Sequence, residues 1–117
     1  MNESPILPIE ITPAEVSALL KGGAPLRLID VREPAEHAIC HIEGATLIPM
    51  QYIPMRLSEP DDALTAQAAR IVVFCHHGMR SLSVVDWLRR QGVENCQSMA
   101  GGIDLWSARI DPDVPRY

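Results

Sequence analysis

Aromatic side chains are nearly missing from this chain: Phe, Trp and Tyr together make up 4% of its 117 residues. Its core must therefore be mainly aliphatic, and a surface that holds single-stranded nucleic acid by stacking bases on rings is not expected. Positive charge is also in short supply. Ten Lys and Arg against 15 Asp and Glu give a formal net charge of -5. That balance argues against general attraction to nucleic acid or to an acidic membrane surface, both of which draw on clustered cations. No apolar run approaches the roughly 20 residues that a spanning helix needs. The opening MNESPILPIEI has no basic segment leading into an apolar one, so a signal peptide is not expected and the expected location is the cytoplasm.

Cysteine is sparse and does not pair in pattern. Cys40, Cys75 and Cys96 are an odd number at wide spacing, a poor disulfide framework that suits a reducing compartment where thiols are buried filler or chemically used. Cys and His pairs at structural-zinc spacing are absent as well, and neither a metal nor a cofactor is expected. The length suffices for one real core and not for two, so residues 1–117 are read as one domain. With 47% apolar and 21% charged residues, the composition is that of an ordinary globular protein.

What is present alternates between strand and helix patterns. ITPAEVSALLKGG opens with Thr12 as N-cap, Pro13 at the first helical position and Glu15 in capping-box position, and closes at Gly22 and Gly23. PLRLIDV reads as a short strand, with Leu26, Leu28 and Val31 on one face and Ile29 on the other. REPAEH suits one helical turn, ATLIPM a brief strand ended by Pro49, and Gln51 to Ala69 one or two short helices. RIVVFC is almost wholly apolar, as a central parallel strand covered on both faces should be. SLSVVDWLRRQG places Leu82, Val85 and Leu88 at helical spacing, widened by Trp87 and stopped by Gly92. VENCQSM and GGIDLWSARI complete the pattern as strand and helix, and DPDVPRY forms a tail. Strands alternating with helices imply a parallel sheet with ligands outside its carboxyl ends.

Cys75 stands at such an end. The strand IVVF runs directly into CHHGMRS, and a tight strand-to-helix loop turns backbone N–H groups inward to make an anion nest, backed by the unpaired donors of the helix N-terminus. A cysteine thiol at a helix N-terminus beside a cation titrates between about 3.5 and 7.5 instead of ~8.5, which makes Cys75 a candidate nucleophile. The cradle is assigned to His76, His77, Gly78, Met79, Arg80 and Ser81. Gly78 is suited to a positive φ, Arg80 supplies fixed charge, and Ser81 either caps the helix or donates to the sulfur. His76 and His77 are expected to line the mouth.

In order, IDVREPAEH, CHIEGATLIPM, FCHHGMRS and MAGGIDLW resemble the single-domain rhodaneses, and the closing GGIDLWSARIDPDVPRY is similar to rhodanese modules fused to adenylyltransferases of sulfur-carrier proteins. The resemblance implies an α/β fold with a five-stranded parallel sheet and helices on both faces. It also implies sulfurtransfer: Cys75 takes a sulfane sulfur from a small donor such as thiosulfate or a persulfide, holds it as a persulfide and passes it to a nucleophilic acceptor, which could be a protein. Arg80 matches the arginine that closes the cradle. Asp30 and Arg32 are expected in buried polar contacts, and Glu33 and Glu36 as ordinary cap and surface carboxylates. Gly101 and Gly102 suit a tight turn near the loop, with Trp106 anchoring the last helix. Cys40 stands where the family commonly has glycine. The rival enzyme class, cysteine phosphatases and arsenate reductases, puts five residues between cysteine and arginine, whereas four lie between Cys75 and Arg80. A non-enzymatic docking or regulatory module is the other rival, expected to lose the cysteine or the arginine.

Overall fold

The computed structural model describes residues 7–59, 64 and 70–117. Five parallel strands, β1 (Glu10–Ile11), β2 (Leu26–Asp30), β3 (Thr46–Leu47), β4 (Arg70–Phe74) and β5 (Cys96–Met99), form one sheet in the order β1-β5-β4-β2-β3. The helices are α1 (Pro13–Lys21), α2 (Pro34–Ile39), α3 (Ile53–Leu57) and α4 (Met79–Arg90) between strands and α5 (Gly102–Arg109) after the last, with a short 3-10 turn at Met50–Tyr52. The strand expected to be central is central: β4 pairs with β2 on one side and β5 on the other.

Side chains of a strand alternate between faces, and this parity divides the core. Ile29, Val31, Ile71, Val73 and Cys75 join Ile53 of α3 and Val84, Val85 and Leu88 of α4 on one face. Leu28, Val72, Phe74 and Met99 join Val16 of α1 and Ile103 and Trp106 of α5 on the other. Cys75 thus points toward α4 because it continues the register of Ile71 and Val73. Val31 belongs with Ile29 and not with Leu28, a correction to the expected facing of that strand that follows from the same two-residue period.

The helix signals translate closely. Thr12 caps α1, its Oγ1 accepting from the Glu15 amide at 3.1 Å while the Glu15 carboxylate accepts from the Thr12 amide at 3.2 Å. Helix α4 starts at Met79 with Gly78 as its N-cap, so Ser81 lies in the first turn and is not the cap. Its buried stripe is Ser81, Val84, Val85 and Leu88, with Leu82 only half-buried because it projects off that stripe. Strand β1 is missing from the residue-level reading: two residues carry too little periodicity to register. The expected helical stretch from Gln51 begins as the 3-10 turn and α3; its part at 60–63 and 65–69 lies outside the described residues. No helix among the described residues is long and apolar enough to cross a membrane.

Candidate functional site

Beyond Phe74 the chain leaves the sheet and enters α4 within four residues. Gly78 makes this possible with φ 105, a left-handed conformation that side-chain-bearing residues resist, and a Cβ there would press on the Gly101 amide nitrogen at 3.2 Å. Helix α5 fixes the other side of the loop. Its first-turn amides at Ile103 and Asp104 donate to the carbonyls of Cys75 and His76, at 2.9 and 3.1 Å. Those two carbonyls are thereby engaged by α5, on the opposite side of the sheet from α4. Gly101 and Gly102, both at positive φ, let α5 approach this closely; a Cβ on Gly102 would collide with the same two carbonyls.

Cys75 is 1% exposed, yet its surroundings on the helix side are polar. Its Sγ accepts from the Gly78 amide at 3.1 Å and from the Ser81 amide at 3.3 Å. The Ser81 amide is one of the donors that an α-helix leaves unpaired in its first turn. The Ser81 hydroxyl lies 3.5 Å from the sulfur, 3.3 Å from the Gly78 carbonyl and 2.8 Å from the hydroxyl of Ser98 on β5. A hydroxyl has one proton to donate. A bond donated by Ser98 frees the Ser81 proton to turn toward an anionic sulfur. Ser98, fully buried on β5, escapes a sequence reading because nothing in CQSM marks it.

Arg80 is held elsewhere than on the sulfur. Its Nη1 and Nη2 donate to the two carboxylate oxygens of Glu36, at 2.6 and 2.9 Å. The Tyr117 hydroxyl donates to Glu36 Oε2 at 2.7 Å and accepts from Arg32 Nη1 at 3.0 Å. Arg32 in turn meets Asp30 at 2.8 Å, with both side chains fully buried, and donates to the Cys40 carbonyl at 2.7 Å. Asp30 and Arg32 therefore make the expected buried contacts. Glu36 is corrected: besides completing the α2 capping box with Glu33, it anchors the arginine of the loop. The bonds from Arg80 hold the Glu36 carboxyl down at about 2, so it is an anion throughout the working range, and burial pushes the Tyr117 phenol up to about 12.

Residues Arg116 and Tyr117 pack beside the loop and α5. The Tyr117 ring stacks on His76 with centroids 3.8 Å apart and planes 5° from parallel, and Arg116 pairs with Asp104 of α5 at 3.0 Å. Burial, reinforced by neighbouring His77, keeps the His76 imidazole below its usual range. His77 is exposed and stands 3.9 Å from Asp104, and Met79 is exposed. Of the expected site residues, then, the Gly78 and Ser81 amides converge on the Cys75 sulfur, His76 and His77 pack on each other, and Arg80 engages a carboxylate. Cys40 and Cys96 are buried and unpaired.

Residues 12–109 match the family model described as a Rhodanese-like domain. A Mycobacterium tuberculosis protein described as a probable adenylyltransferase/sulfurtransferase, MoeZ, is 36% identical over 107 residues, 92% of this chain and 26% of that protein. A protein of Allochromatium vinosum described as a sulfurtransferase is 34% identical over 106 residues, 90% of this chain and 94% of its own length. Among solved structures, the human single-domain sulfurtransferase TSTD1 superposes with a TM-score of 0.79 at 27% identity, covering 87% of this chain and 97% of the other. The chain spans about a quarter of the length of the adenylyltransferase/sulfurtransferases it matches.

Proposed function

Because this chain belongs to the rhodanese-like family, we propose that it is a sulfurtransferase working through a persulfide on Cys75, with residues 1–117 acting as one unit. The supporting observation is the pair of amides, Gly78 and Ser81, aimed at Sγ while α5 engages the Cys75 and His76 carbonyls. Fixed N–H dipoles stabilise negative charge without rearranging when it appears. They serve the thiolate before reaction and the persulfide after it.

With thiosulfate as donor, the Cys75 thiolate attacks the outer sulfur, a Cys75 Sγ–S bond forms, and the S–S bond to the sulfonate sulfur breaks. Sulfite leaves with the electron pair. A nucleophilic acceptor then attacks the terminal sulfur and returns the thiolate, two displacements that give ping-pong kinetics. The Ser81 hydroxyl donates to the sulfur in its anionic forms, and His76, His77 and Met79 border the approach. The free thiols suit a reducing compartment, so the cytoplasm is the proposed location. A phosphatase reading is disfavoured by the four-residue spacing from Cys75 to Arg80.

The test is intact mass spectrometry after incubation with thiosulfate. One sulfur atom is gained, cyanide removes it, and Cys75→Ser gains none. Sulfur gained equally by the serine variant refutes the assignment.

A further inference from the structure

The arginines around the loop are already matched to carboxylates. Arg80 pairs with Glu36 at 2.6 Å, Arg32 with Asp30 at 2.8 Å and Arg116 with Asp104 at 3.0 Å. The Arg80–Glu36 pair uses both carboxylate oxygens, and the Tyr117 hydroxyl donates to one of them. Charge at the mouth is thus cancelled locally, within a chain whose net charge is -5. What reaches an incoming donor from these pairs is the field of dipoles, which falls off faster than that of free cations. The amides at the sulfur can serve one negative charge at the reacting atom, but a second charge on the donor meets Arg80, Arg32 and Arg116 each already committed to a carboxylate.

Resting on the persulfide reading above, we propose that Glu36 sets donor specificity: by occupying the Arg80 guanidinium it penalises a doubly charged sulfur donor relative to an alkyl persulfide carrying at most one charge. Thiosulfate must bring two charges toward an anionic sulfur. An alkyl persulfide, R–S–SH, delivers the same atom differently: the Cys75 thiolate attacks the terminal sulfur, a Cys75 Sγ–S bond forms, the donor's S–S bond breaks, and the thiolate RS⁻ leaves with the electron pair while the proton stays on the transferred sulfur. Its approach needs no free cation. Tyr117, whose hydroxyl donates to Glu36, acts as a positioning residue for the carboxylate.

The measurement is the rate of Cys75 persulfidation, followed by mass spectrometry, with thiosulfate and with the persulfide of 2-mercaptoethanol as separate donors. The ratio of the thiosulfate rate to the alkyl persulfide rate is compared between the unaltered protein and Glu36→Gln. The substitution frees the charge of Arg80, and the ratio is expected to rise about tenfold or more at low salt. That gain should shrink as salt is added, because freed charge is screened. Tyr117→Phe is expected to shift the ratio the same way by a smaller factor, and it decides the matter if the Glu36 variant does not fold. A ratio that is unchanged or lower in folded Glu36→Gln, or unchanged in Tyr117→Phe when only that variant folds, overturns the specificity role. Absence of any sulfur on Cys75 of the unaltered protein with either donor overturns instead the persulfide chemistry beneath it.

Discussion

Gly102 shows how much of the site hangs on the absence of a side chain. Its φ of 58 is left-handed, and a methyl placed there meets the Cys75 and His76 carbonyls that α5 is meant to hold. Gly102→Ala should destabilise the protein by about 2 kcal/mol or more, combining backbone strain with displaced backbone. Loop and helix must separate, so the rate of iodoacetamide reaction at Cys75 is expected to change along with the melting temperature. A variant that melts normally and keeps the alkylation rate would show that α5 does not set the loop. Cys96 offers the contrast. It is fully buried among aliphatic neighbours, and burial pushes its thiol up, so the alkylation measured in the folded protein should not come from that residue.

Helix α1 is the element whose start depends most on local chemistry. Thr12→Ala removes one side of the reciprocal cap and should cost about 1 kcal/mol, lowering the melting temperature by about 3–6 °C. Because α1 lies on the opposite face from α4, persulfide formation on Cys75 should be unchanged, and thermal scans beside mass spectrometry would check both halves. The same locality explains what could be read from sequence. Thr12, Pro13 and Glu15 are neighbours, so the cap was visible; Cys75 through Ser81 are neighbours, so the loop was visible too. Glu36 and Arg80 are separated by 44 positions and Glu36 and Tyr117 by 81, and no local pattern predicts such meetings. The fifth strand entered only through the family resemblance, since Glu10–Ile11 is extended chiefly because β5 offers it an edge.

Across the whole molecule, paired carboxylates set the response to acid. The Glu36 carboxyl, held to about 2 in the folded state by Arg80 against an ordinary 4.5, binds its proton more readily once unfolded. Its contribution is complete above pH 4.5 and is lost as pH falls toward about 2. Asp104, lowered by Arg116, acts with the same sign. Urea unfolding at pH 5 and near pH 3 should therefore show a loss of stability that is smaller in Glu36→Gln, and equal losses would mean the pair does not carry this linkage. Sheet order has an effect on the timing of assembly as well. Among the described residues strand β1 pairs with β5 alone, and two supports of the Cys75 loop, Ser98 on β5 and the first-turn amides of α5, are C-terminal to it. While a nascent chain has emerged from the ribosome only as far as α4, Cys75 has neither Ser98 nor the α5 amides behind it. The sulfur acquires its reactive setting only after β5 and α5 have followed it out, which spares the half-made domain a nucleophile it could not yet control.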